Sequence, residues 1–136
     1  MIVIDASLAA AWCFDDEATA QADAMLDRVR TEGARVPGLW HLEIANVLRQ
    51  AERRGRIGEA DSSRRLELLA QLPILVDIET ATRAWGPSLA LARTHTLTVY
   101  DAAYLELAAR LGLPLASKDK ELLAAARSSG VEVIAC

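Results

Sequence analysis

Ile2-Val3-Ile4-Asp5-Ala6-Ser7 decides the reading: three apolar, β-branched residues in a row, an aspartate, then small residues with helical spacing. A strand buried on both faces is continuously apolar rather than alternating, so Ile2 to Ile4 predicts an interior strand that feeds a helix, with Asp5 at its carboxyl end. Further apolar strand candidates are Arg35-Val36-Pro37, Ile74-Leu75-Val76, Leu113-Pro114-Leu115-Ala116 and Val131-Glu132-Val133-Ile134. Helical periodicity fills the intervals: about 16 to 32, stopped by Gly33; about 39 to 54, stopped by Gly55; about 59 to 72; about 79 to 93; 99 to 111; and about 120 to 127. Gly86-Pro87 predicts a break or kink inside the fourth of these. Alternation of apolar strands with helices implies parallel strands joined by crossovers. The predicted fold is therefore an α/β, three-layer α/β/α sandwich with a mainly parallel sheet, one domain over residues 1–136.

Composition bounds the function. With 52% hydrophobic and only 4% aromatic residues, Ala, Leu, Val and Ile build the core, and disorder is excluded. Cys13 and Cys136 lack the spacing of a disulfide framework or a thiolate metal site, and Cys13 reads as a small core residue. The first residues lack the pattern of a secretory signal and no apolar run is long enough for a membrane span, which predicts a cytoplasmic protein. The net charge of −4 argues against a polyanionic partner only if all acids count equally; four carboxylates committed to cations would leave the remaining charges balanced. Arg49, Arg53, Arg54, Arg56, Arg64 and Arg65 cluster along the chain and fit either a local basic surface or solvated helix faces.

Open parallel sheets collect chemistry beyond the carboxyl ends of their strands. Asp5 and Asp119 stand at that address, although each also suits the first position of a helix, where Asp accepts backbone N–H groups. Asp101 shares a helical side with Tyr104, Leu105 and Ala108, and an ionised carboxylate facing that apolar layer needs a cation or several donors. Glu106 and Arg110 read as an ordinary i,i+4 pair on the opposite, solvated side. Glu43 borders the Trp40, Ile44, Val47 and Leu48 stripe of its helix. Like charges gathered at one end of a sheet repel, and a divalent cation reverses that sign. An oxygen-only donor set suits Mg2+ or Mn2+ better than zinc; His41 and His95 are isolated and read as surface or packing residues. No phosphate loop, nucleophile elbow or Cys-His arrangement supplies another chemistry, so the residues point to metal-assisted phosphoester hydrolysis.

The stretches Ile2 to Ser7, Val36-Pro37-Gly38-Leu39-Trp40-His41-Leu42-Glu43 through Leu48, Leu97-Thr98-Val99-Tyr100-Asp101 through Ala108, and Leu113 to Asp119, in this order and at these separations, resemble the PIN-domain ribonucleases, specifically the VapC-like toxins of bacterial toxin–antitoxin pairs. The resemblance implies a parallel sheet covered on both faces and catalytic, metal-binding acids at Asp5, Glu43, Asp101 and Asp119, holding one or two Mg2+ or Mn2+ ions. It implies supporting hydroxyls at Ser7 and Ser117, the latter replacing a commoner threonine, and a polar neighbour at Asn46. It also implies RNA hydrolysis that leaves a 5′-phosphate, a homodimer, and a small antitoxin protein as partner. A receiver-like signalling module, or an interaction protein on the same fold, is the competing expectation. The receiver reading suffers because Trp40 to Gln50 reads as helix and offers only Glu43 where a phospho-acceptor strand is needed.

Overall fold

The computed structural model describes residues 1–136. In chain order the elements are β1 (Ile2–Ile4), α1 (Ala6–Ala11), a 3-10 turn (Asp15–Glu17), α2 (Ala20–Glu32), β2 (Ala34–Val36), α3 (Trp40–Arg53), α4 (Glu59–Ala70), β3 (Ile74–Val76), α5 (Thr80–Arg83), a π-helical turn (Ala84–Ser88), α6 (Leu89–His95), α7 (Val99–Leu111), β4 (Leu115–Ser117), α8 (Lys120–Ser128) and β5 (Val133–Ala135). The strands form one all-parallel sheet in the order β3-β2-β1-β4-β5. β1 lies at its centre. Successive strand residues point to opposite faces, and Ile2, Val3 and Ile4 are all 0% exposed, so helices cover the sheet on both sides. This is the predicted α/β/α architecture. No helix is long and apolar enough to cross a membrane.

The core runs through the sheet centre: β1, Val36 of β2, and Leu115 and Ala116 of β4 pack with Leu8, Tyr104, Leu105 and Leu122. Cys13 is buried there, and both cysteines are free thiols. β3 and β5 are the two edges of the sheet, and on β3 Leu75 and Val76 stay exposed despite their apolar character.

Element boundaries move where side chains compete with the backbone pattern. The predicted 16–32 helix begins only at Ala20, because Thr19 Oγ1 accepts the Ala22 N–H and caps it there. The Gly86-Pro87 break becomes a π-helical turn, which accommodates the proline without ending the helical path. The last two strands sit one to two residues later than their apolar runs suggested. Thr96 ends α6 in the left-handed region, φ 54°, and Gly112 ends α7 likewise at φ 66°.

One expectation is corrected. Glu106 and Arg110 are not a solvated pair: Glu106 is buried, and the Arg110 guanidinium donates to Glu106 at 2.8 Å, to Asp77 at 2.6 Å and to Glu79 at 3.1 Å. The π-helical turn and α6 pack on this side of α7 and remove it from solvent. Asp77, just past β3, supplies the second buried carboxylate. Burial alone would raise its pKa, but the Arg110 and Glu79 N–H donors and the guanidinium charge hold it below the ordinary value.

The arginine cluster is largely paired. Arg56 donates to Asp16 and Glu17 and lies 3.9 Å over the Phe14 ring, Arg64 meets Asp61, Arg65 meets Asp15 and Arg49 meets Glu52. Arg53 and Arg54 make no ion pair. An unopposed basic stripe is therefore absent from this surface.

Candidate active site

The strand order reverses between β1 and β4: the chain leaves β1 toward β2 and β3 on one side, then returns to β4 and β5 on the other. Loops leaving the carboxyl ends of such neighbours diverge and open a crevice. Asp5 follows β1, Ser117 ends β4, and Asp119 is two residues further on.

Asp5 is 5% exposed and in extended backbone, as a residue leaving a strand must be. Its Oδ1 accepts the Leu8 N–H at 3.1 Å, capping α1. Ser7 Oγ donates to Oδ1 at 2.8 Å, and the Ser117 hydroxyl donates to Oδ2. Both hydroxyls are themselves held by amides just past β4: Ser7 Oγ accepts the Lys118 N–H at 3.1 Å, and Ser117 Oγ accepts the Asp119 N–H at 2.9 Å. Thus backbone amides beyond β4 orient two hydroxyls that in turn orient the carboxylate beyond β1. Burial pushes the Asp5 carboxyl above its ordinary pKa, against these hydrogen bonds, and the charge of Asp101 pushes the same way.

Glu43 sits in the first turn of α3, half-buried, with Oε1 accepting the Tyr104 hydroxyl. Its pKa is raised by burial first, then by Asp101 and Asp5, while the phenol opposes the shift. Asp101 occupies the first turn of α7, where Thr98 Oγ1 accepts its N–H and performs the capping. Burial raises the Asp101 pKa, and the Asp119 charge adds to it. Asp119 caps α8 through Oδ1, which accepts the Glu121 and Leu122 N–H groups at 2.9 and 3.2 Å. Capping and a shared site were competing expectations for Asp5 and Asp119. Both caps exist; in addition the charge of Asp119 acts on Asp101, and that of Asp101 on Asp5.

Asp101 is the hub of this arrangement: its charge is felt at Asp5 and Glu43, and it feels that of Asp119. Uncompensated negative potential among oxygen-only donors suits a hard divalent cation. No three or more Asp, Glu, His or Cys side chains form a finished cage around one point. Of the remaining residues singled out in the sequence, Asn46 stands exposed on α3, His41 lies edge-on to Trp40, and His95 meets Ser129 Oγ at 3.0 Å, so neither histidine joins the acids. Tyr104 was read only as core. Its position three residues after Asp101, on the same side of α7, was the signal that its hydroxyl would reach the acidic end of the sheet.

The sequence profile of the PIN domain matches residues 2–128. Ribonuclease VapC3 of Pyrobaculum aerophilum is 32% identical over 121 residues, 89% of this chain and 91% of that protein. Ribonuclease VapC9 of Mycobacterium tuberculosis is 33% identical over 124 residues, 90% of this chain and 88% of its own. Among solved structures, PAE2754 from Pyrobaculum aerophilum superposes with a TM-score of 0.70 at 30% identity, over 98% of this chain and 92% of that one. FitAcB from Neisseria gonorrhoeae shares the fold at 17% identity, with a TM-score of 0.64 over 98% and 96% of the two chains. The all-parallel sheet with its flanking helices thus has solved structural counterparts, and the chain belongs to the PIN domain family, among its VapC-like proteins.

Proposed function

We propose that this protein is a divalent metal-dependent endoribonuclease, active in the cytoplasm as the toxin of a toxin–antitoxin pair. The ribonuclease names of its relatives support the substrate class, and the observation that carries the metal dependence is that the Asp5 and Glu43 carboxylates are held only by neutral donors, Ser7, Ser117 and the Leu8 N–H for Asp5 and the Tyr104 hydroxyl for Glu43, while the charge of Asp101 acts on both. Asp5, Glu43, Asp101 and Asp119 would hold Mg2+ or Mn2+. When bound, the ion supplies charge neutralisation at the phosphodiester and activation of the attacking water.

The chain's own residues prepare that chemistry. Ser7 and Ser117 hold the Asp5 carboxylate in one orientation, so it loses little freedom on meeting a cation. Asp119 spends one oxygen on its cap and keeps the other free. Asp101, half-exposed at the mouth of the crevice, joins the buried acids to the side from which RNA arrives.

The test is cleavage of total RNA by purified protein with and without millimolar Mn2+. Cleavage that requires the ion and falls at least about 100-fold in Asp101→Asn supports the reading. An Asp101→Asn protein that cleaves at the wild-type rate overturns the site assignment. For partners, we assign a small antitoxin protein and a second copy of this chain. Ile78 and Trp85, 95% and 92% exposed beyond the edge strand β3, are the apolar side chains that a partner surface would cover. A solution mass of twice 14.7 kDa by light scattering supports the dimer, and a mass of one chain removes it.

A further inference from the structure

Tyr104 is 1% exposed, yet its hydroxyl is not left among apolar neighbours: it donates to Oε1 of Glu43, 61 positions away on a different helix. A buried phenol without an acceptor is costly, so this hydrogen bond fixes where the ring can lie. It fixes the acceptor more tightly still. Glu43 is half-buried, carries a flexible side chain, and sits beside the charges of Asp5 and Asp101, which drive it outward toward solvent. Tyr104 is the one side chain that holds it inward.

From this juxtaposition we propose that Tyr104 is a positioning residue: its hydroxyl keeps the Glu43 carboxylate on the side of Asp5 and Asp101, so that it stays within reach of a divalent cation that enters there. The inference rests on the metal-site reading given above. It adds a hydrogen-bond donor from α7 to the hydroxyls of Ser7 and Ser117, so that two of the acids, Asp5 and Glu43, are oriented by neutral O–H groups rather than by cations. A neutral donor orients a carboxylate while leaving its charge for the metal, which a lysine or arginine in the same place would cancel. Removing such an outer partner of a ligand ordinarily weakens metal affinity by about 10- to 100-fold.

The test is calorimetric titration of Mn2+ into the full chain, wild type and Tyr104→Phe, with circular dichroism to establish that both are folded. The variant should bind Mn2+ about 10-fold more weakly or worse, and its RNA cleavage should return to within about threefold of wild type at saturating Mn2+, with the KM for RNA unchanged. A packing defect would not be repaired by more metal. In a Glu43→Ala background the same Tyr104→Phe change should leave Mn2+ affinity unaltered, because its effect passes through Glu43. Equal affinities of wild type and Tyr104→Phe, or equal losses in both backgrounds, would overturn the role of Tyr104 while leaving the metal site standing. Wild-type protein that binds no Mn2+ would overturn both. If Tyr104→Phe does not fold, Glu43→Asp decides: it keeps the charge but withdraws it from the phenol, so it should reproduce the weaker binding and the rescue by Mn2+, and wild-type affinity there rejects the proposal.

Discussion

The Ser117 hydroxyl donates to Asp5 Oδ2 across the seam between β4 and β1, joining residues 112 positions apart. Ser117 is 0% exposed and its oxygen also accepts the Asp119 N–H, so one atom serves both acids of the seam. Ser117→Ala should lower stability by about 1.5–3 kcal/mol, the range for a hydrogen bond to a charged group, and reduce RNA cleavage. Ser117→Thr, which keeps the oxygen, should retain activity. Urea unfolding and a cleavage assay measure the two effects; an Ala variant with wild-type values in both would show the hydroxyl to be dispensable.

Arg110 neutralises two carboxylates, Asp77 and Glu106, that are 6% and 7% exposed. Arg110→Ala leaves Asp77 buried without a cation and Glu106 with only Arg83 at 3.9 Å, and should cost about 3–5 kcal/mol. Chemical denaturation checks this, and a loss under about 1 kcal/mol would mean that water reaches the cluster.

The pH dependence of stability has two opposed parts. Asp77 titrates below its unfolded value, so it contributes stability above the ordinary carboxylate range that is lost as pH falls through its depressed pKa. Asp5, Glu43 and Asp101 titrate above theirs, so their contribution is full below the ordinary carboxylate range and is lost as pH rises through their raised values. Metal-free protein should therefore melt at a lower temperature at about pH 8 than at about pH 5, and Asp101→Asn should flatten that slope. Millimolar Mn2+ should restore the melting temperature at the higher pH. Thermal melts in chelator and in Mn2+ test this; a metal-free protein that is more stable at the higher pH contradicts it.

Thr96 holds a left-handed backbone, φ 54°, that a β-branched residue adopts at a cost of about 1–2 kcal/mol. Asn tolerates that conformation, so Thr96→Asn should raise stability by about 0.5–1 kcal/mol, read from denaturant midpoints. No gain would mean that the Thr96 side chain compensates its own strain.

Much of this was legible in the residues. Ile2 to Ile4 announced an interior strand because burial on both faces leaves no polar alternation, and Gly33 and Gly55, after α2 and α3, marked where helices stop. The positions of Asp5 after β1 and of Asp119 at the start of α8 were legible from the apolar runs and helix starts beside them. What local patterns did not carry were relations between distant segments. Glu106 and Arg110 have the spacing of an exposed pair, and only Asp77, some thirty residues earlier, together with the packing of α6, makes them interior. The start of α2 was misplaced because Asp15–Glu17, whose charges suit a first helical turn, is drawn instead into a 3-10 turn whose acids meet Arg56 and Arg65. Tyr104 escaped notice because apolar periodicity accounts for its ring and says nothing of its hydroxyl.

The pairing of β1 with β4 has a consequence for synthesis. A ribosome extrudes Asp5, Glu43 and Asp101 before β4, and the β1–β2 and β2–β3 pairings can form by residue 76, but the second wall of the crevice arrives only with Leu115–Ser117. Pairing of such remote segments is slow because a long loop must close before any contact rewards it. The growing chain therefore carries a half-walled crevice while residues 77 to 114 are being added, and the groups beyond β1 and β4 meet only after β4 is made.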